Sequence, residues 1–127
     1  MTETLKALYA FFGRFGLPVY PENSVPDKDD DGVKVTPPYI TVQLVFPDWR
    51  KAMPFYARVW YRSDNYVAIA QKVDEIAAEI GESASIPTTG GAVYIYKDER
   101  FAQFQPMAGD VTLKCAYLSM TIDATTT

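Results

Sequence analysis

The apolar positions of this 127-residue chain change period along its length, and each period predicts an element. Leu5, Leu8, Phe12 and Phe15 recur three or four apart, which puts them on one side of a helix over about Thr2 to Arg14. Thr2 or Thr4 is placed to cap its start, and Gly13, Gly16 and Pro18 end it. Residues 17–38 then read as a long acidic, proline-rich loop, with Pro18, Pro21, Pro26 and Pro37 around the run Asp27-Lys28-Asp29-Asp30-Asp31-Gly32. Val19-Tyr20 adds a short strand within it. Loops of this length are usually functional or mobile.

At Tyr39 the period becomes two. Ile40, Val42, Leu44 and Phe46 point one way and Tyr39, Thr41 and Gln43 the other, as in a half-buried strand. Pro47-Asp48 makes a turn, and Phe55 to Arg62 forms the returning strand of a hairpin. Phe55, Ala57 and Val59 share one side of it; Tyr56, Arg58, Trp60 and Arg62 share the other. Ser63-Asp64-Asn65 precedes a second helix predicted over Asp64 to Ile80. Its stripe is Tyr66, Ile69, Val73, Ile76 and Ile80, and Gly81 stops it.

Residues 82–91 read as a loop of small residues. Ala92 to Tyr96 is a strand with Phe101 to Met107 as its partner, and Val111 to Ile122 is one long strand. In that last strand the apolar side switches, from Val111, Leu113, Cys115 and Tyr117 to Leu118, Met120 and Ile122. The switch predicts either a bulge or burial on both sides, one of them by another subunit. Residues 124–127 form a short tail. The order helix, strand, strand, helix, strands predicts a single α+β domain over 1–127. Its sheet is mostly antiparallel, with two helices packed on one face.

Composition narrows the function. Hydrophobic residues at 48% and charged residues at 22% suit a folded globular chain. Nine tyrosines lean towards a partner surface, since tyrosine is enriched where proteins meet. A net charge of −4 opposes gripping nucleic acid through its phosphates, although DNA can slide past an acidic wall. The absence of histidine removes the commonest general base and metal ligand, and with it any Ser-His-Asp or Cys-His pairing. With one cysteine, Cys115, there is no internal disulfide, as expected of a reducing compartment. Neither a signal-peptide core nor an apolar run of transmembrane length is visible, which places the expected site of synthesis in a cytoplasm.

Candidate chemistry changes this picture little. Asp27, Asp29 and Asp31 with Gly32 open like a calcium loop, but the twelfth position is Pro38 where a bidentate glutamate belongs. A solvated acidic tip or a rim against a neighbour's Arg or Lys fits better. Thr88-Thr89-Gly90-Gly91 precedes a strand rather than a helix, so it lacks the form of a phosphate cradle. Arg58, Trp60 and Arg62, with Arg50 and Lys51 in the preceding turn, could stack single-stranded nucleic acid. In an acidic chain a subunit contact is the better reading. Cys115 in an apolar strand reads as core. Asp74, Glu75 and Glu79 read as the solvated side of the second helix. No metal, cofactor or catalytic set is expected.

The layout carried by Leu5 to Phe15, Tyr39 to Arg62, Tyr66 to Gly81 and Ala92 to Asp123 resembles the tail-terminator and tail-to-head joining proteins of long-tailed bacteriophages. The resemblance implies a homo-oligomeric ring, commonly of six subunits, in the virion tail. Such a ring caps the tail tube, stops its polymerisation and offers a surface to the head connector. DNA passes through it without specific binding. Each subunit of a closed ring needs two different adhesive faces. Arg58, Trp60, Arg62, Tyr117, Leu118 and Met120 are the expected subunit contacts. Asp27, Asp29, Asp30 and Asp31 are expected to face the lumen or a partner. The competing readings are a head-completion or connector-stopper protein, a small ligand-binding α+β module, and a metal-dependent enzyme using the aspartate run.

Overall fold

A computed structural model describes residues 2–22, 24–43, 53–88, 90–107 and 109–126. The chain is α+β, with two α-helices and a curled six-stranded sheet. Helix α1 spans Thr2–Phe12 and tightens into a 3-10 turn at Gly13–Phe15, which Gly16 closes with a left-handed φ of 79°. Its buried side is Thr4, Ala7, Leu8, Phe11, Phe12 and Phe15, while Leu5 is half-buried. The helix is therefore turned slightly from the predicted stripe, because Phe11 packs edge-on against both Phe12 and Phe15. Thr4 lies inside the helix rather than at its cap.

Strand β1 (Val19–Pro21) runs parallel to β2 (Tyr39–Val42), and β2 runs antiparallel to β3 (Met53–Arg62). The expected continuation of β2 through Leu44 and Phe46, the turn at Pro47-Asp48, and Arg50 and Lys51 lie outside the described residues. Helix α2 spans Val67–Ile80 and buries Ile69, Val73, Ile76 and Ile80, as its spacing predicts. It starts three residues later than expected because Ser63 and Asn65 are spent on the approach. The Asn65 side-chain carbonyl accepts the Val67 N–H at 2.9 Å, and the Ser63 hydroxyl accepts the Asn65 N–H at 3.3 Å.

Three expectations for the last third are corrected. The 82–91 loop contains a strand, β4 (Ala84–Thr88), paired antiparallel with Gly91–Ile95. As an edge strand it tolerates Pro87, the residue that hid it. The two predicted strands at 92–96 and 101–107 do not pair with each other. They are one strand, β5 (Gly91–Met107), and both parts pair with β6 (Asp110–Thr126). The expected tail accordingly belongs to β6 up to Thr126, with Ala124 opposite Val93. The β5–β6 register shifts twice, between Lys97 and Ala102 and between Pro106 and Met107, whereas β6 pairs with β3 without interruption from Leu113 to Ile122.

The sheet order is β1-β2-β3-β6-β5-β4. One side carries Ile40, Val42, Phe55, Ala57, Val59, Ala116, Leu118, Met120 and Ile122, and these merge with the buried sides of α1 and α2 in one hydrophobic cluster. The stack of Phe12 on Phe55 at 6.0 Å and the Lys97 ammonium on the Ala77 carbonyl at 3.2 Å tie the helices to that side. Among the described residues no helix is long and apolar enough to cross a membrane.

Candidate functional site: the open side of the sheet

Because β-strand side chains alternate, burying one side of this sheet under two helices leaves a second side. On β3 that side holds Tyr56, Arg58, Trp60 and Arg62. Opposite them on β6 stand Ser119, Tyr117, Cys115 and Leu113. Tyr39 and Thr41 of β2 and Tyr20 of β1 extend it one way. Tyr94 and Tyr96 of β5 extend it the other, beside Asp123 and Thr121. Among the described residues no helix covers this side.

The aromatic rings plate the side instead. Tyr20 meets Tyr39 edge-on at 5.9 Å, and Tyr39 tilts against Trp60 at 6.4 Å. Tyr56 and Tyr117 stack at 5.4 Å. Arg58 joins the two groups: its guanidinium lies over the Tyr117 ring at 5.0 Å and pairs with the Glu22 carboxylate just beyond β1. The Trp60 indole N–H donates to the Thr41 hydroxyl at 3.0 Å, and Thr41 is only 3% exposed. Arg62, at the exposed end of β3, donates to the Thr112 hydroxyl at 2.9 Å. At the other end the Thr121 hydroxyl donates to Asp98 at 2.7 Å. Tyr96, by contrast, is exposed.

Burial raises the proton affinity of three groups on this side. Cys115 is 1% exposed, and desolvation pushes its thiol up to about 11 although Arg58 pulls the other way. Burial also raises the phenols of Tyr39 and Tyr117 above their ordinary range. A thiol held neutral in this way is a small apolar filler. Among the described residues no three acidic, histidine or cysteine side chains gather where a metal ion could sit.

No protein-family model, curated protein or solved structure matches the chain.

The open side brings together four of the residues singled out in the sequence, Arg58, Trp60, Arg62 and Tyr117. It does not include Leu118 and Met120. Both are 0% exposed on the helix side of β6, so they are core and have no surface to give a neighbouring subunit. The change of apolar side along β6 thus has a local cause, since Cys115 is buried on the open side opposite Trp60, while Ala116, Leu118, Met120 and Ile122 face the helices. Asp27, Asp29, Asp30 and Asp31 lie in an exposed turn. There the Asp29 side chain accepts the N–H groups of Asp31 and Val33 at 2.9 Å each, and the backbones at Lys28 and Lys34 pair in an isolated antiparallel β-bridge. Glu22, Tyr20 and Tyr94 were not legible as site residues. Their only signal is that tyrosines recur at alternate positions, as in Tyr94-Ile95-Tyr96, and the register that aligns them is long-range. Beside α2, a depression of about 450 Å³ is lined by Arg14, Phe15, Glu75, Ala78 and Glu79, with Arg14 and Glu79 paired across it at 3.3 Å.

Proposed function

We propose that this chain is a non-enzymatic structural subunit that assembles with copies of itself into a ring. The reading is that of the phage tail terminators it resembles: the ring caps the tail tube, stops its growth and joins tail to head. The observation that carries it is the open, tyrosine-plated side of the sheet, which holds Trp60 and two arginines among half-buried rings. Trp, Tyr and Arg are the residues that concentrate binding energy in protein interfaces. Ordering them in the free subunit lowers the entropy lost on contact. The net charge of −4 and the exposed aspartates of the 27–31 turn suit a lumen that DNA crosses without sticking. The connector-stopper reading uses the same surface and differs only in which neighbour binds first.

The two are separated by adding the purified protein to polymerising tail-tube protein and measuring tube length in electron micrographs. A terminator shortens the tubes and leaves them with one capped end. Tubes of unchanged length and bare ends would remove the terminator reading.

A further inference from the structure

The edge of a β-sheet offers backbone N–H and C=O groups to any strand that comes beside it, unless the chain blunts it. Backbone hydrogen bonds fix which residues face outward here. The Ile40 N–H donates to the Pro18 carbonyl at 2.9 Å and the Glu22 N–H to the Val42 carbonyl at 2.8 Å, so Val19 and Pro21 are the outward residues of β1. Pro21 has no N–H, and its carbonyl accepts the Ser24 N–H at 3.1 Å. Towards the other edge, the Ser63 N–H donates to the Thr112 carbonyl at 2.7 Å. Even-numbered residues of β6 therefore turn their backbone groups to β3, and odd-numbered ones turn theirs to β5. Carried across the registers, this alternation makes Ser85 and Pro87 the outward residues of β4, and Ala102, Phe104 and Pro106 those of the second half of β5. Proline thus blunts both β1 and β4. The far half of β5 is left open, because β4 pairs no further along it than Ile95, and among the described residues no strand meets Ala102 and Phe104.

We propose that this edge pairs antiparallel with β5 of a second copy, about a two-fold axis at Phe104. The sequence there complements itself. The charged run Lys97-Asp98-Glu99-Arg100 stops at the register shift, and residues 101–107 carry no charge. Gln103-Phe104-Gln105 reads the same in both directions, so an antiparallel copy centred on Phe104 sets phenylalanine against phenylalanine and glutamine against glutamine. All three are exposed, Phe104 at 43%, with its ring edge-on to Tyr66 at 5.8 Å. The Phe104 N–H of each copy donates to the Phe104 carbonyl of the other, and the Ala102 N–H to the Pro106 carbonyl. Neither β1 nor β4 of another copy serves as well, since each has proline at an outward position. The contact uses the edge of the sheet and not its open side, so it goes beyond the ring reading and does not depend on it. A segment this short buries far less than a standard interface, so free subunits pair only transiently. Edges held side by side in an assembly pair more firmly.

Disulfide trapping tests the register. In the pair, Gln103 stands opposite Gln105 of the second copy at a non-hydrogen-bonded position, where Cα atoms lie about 4.5 Å apart, within disulfide reach. The variants Gln103→Cys and Gln105→Cys are made in a Cys115→Ala background, because Cys115 stands opposite Gln105 on β6. Each is checked for the thermal unfolding of that background, and air oxidation is followed on non-reducing gels. Mixed in equal amounts, the two form covalent dimers roughly tenfold faster than either does alone, because like positions are two residues out of register. Adding Ala102→Pro to both removes the outward N–H and slows the mixture to the rate of the single variants. Should that proline unfold the chain, Phe104→Lys sets like charges opposite each other and slows trapping in the same way. A mixture no faster than its components overturns the pairing, as does trapping indifferent to both Ala102→Pro and Phe104→Lys. Trapping that follows the predicted register in a chain that never forms a ring leaves the pairing standing and removes the ring.

Discussion

Cys115 and Leu118 are three residues apart on β6, yet they are buried by different things. The thiol is buried on the open side of the sheet, opposite Trp60, and the leucine on the helix side. The thiol gives a pH signature. In the unfolded chain it ionises near its ordinary value of 9.0, while the folded chain holds the proton until about 11. Unfolding therefore becomes progressively easier as pH rises through that window, by on the order of 2 kcal/mol in total. Denaturant melts at pH 8.5 and 10.5 should show this drop in the wild type. In Cys115→Ala it should shrink to the part owed to tyrosine ionisation. Equal drops in both would mean that the thiol is accessible. Leu118→Ala, in contrast, leaves a hole against α1 and α2 and should cost about 2–5 kcal/mol of monomer stability at any pH. A variant as stable as wild type but deficient in assembly would return Leu118 to the subunit surface.

At the scale of elements, α2 is the most self-contained. Its stop is a glycine for a definite reason: Gly81 has φ 59° and ψ −134°, a region that side-chain-bearing residues enter at a cost. A Cβ added there would meet nothing closer than the Ala78 carbonyl at 3.9 Å, so space is not the obstacle. Gly81→Ala should therefore destabilise the fold by about 1–3 kcal/mol through the backbone alone, read as a lowered melting temperature with unchanged helix content.

The same element shows why some of the fold was legible. A 14-residue helix with four buried apolar residues carries its own period, as do α1 and β3. β4 carries none, because Ala84, Ser85 and Pro87 around Ile86 resemble a loop until β5 is beside them. The continuity of β5 is likewise hidden, since Lys97-Asp98-Glu99-Arg100 looks like a turn and becomes a register shift only against β6. For the candidate site, the alternation in β3 exposed Arg58, Trp60 and Arg62 as a row. The alignment of that row with Tyr20, Tyr39, Tyr117 and Tyr96 depends on pairings between distant strands, which no local pattern reports.

Across the whole molecule, the asymmetry of the layers matters most. The helices cover one side of the sheet, and the other side sets tyrosine, tryptophan and arginine among smaller polar groups such as Thr41 and Ser119. Such a surface tolerates water and gains from contact, which suits a protein made as a monomer and consumed in an assembly. The claim that this side binds another copy is tested most directly by the mass of the purified chain as its concentration is raised. The account predicts a cooperative shift from one subunit to a closed ring of fixed size, with no ladder of open intermediates. A single subunit at every concentration, with or without tail-tube protein, would contradict it.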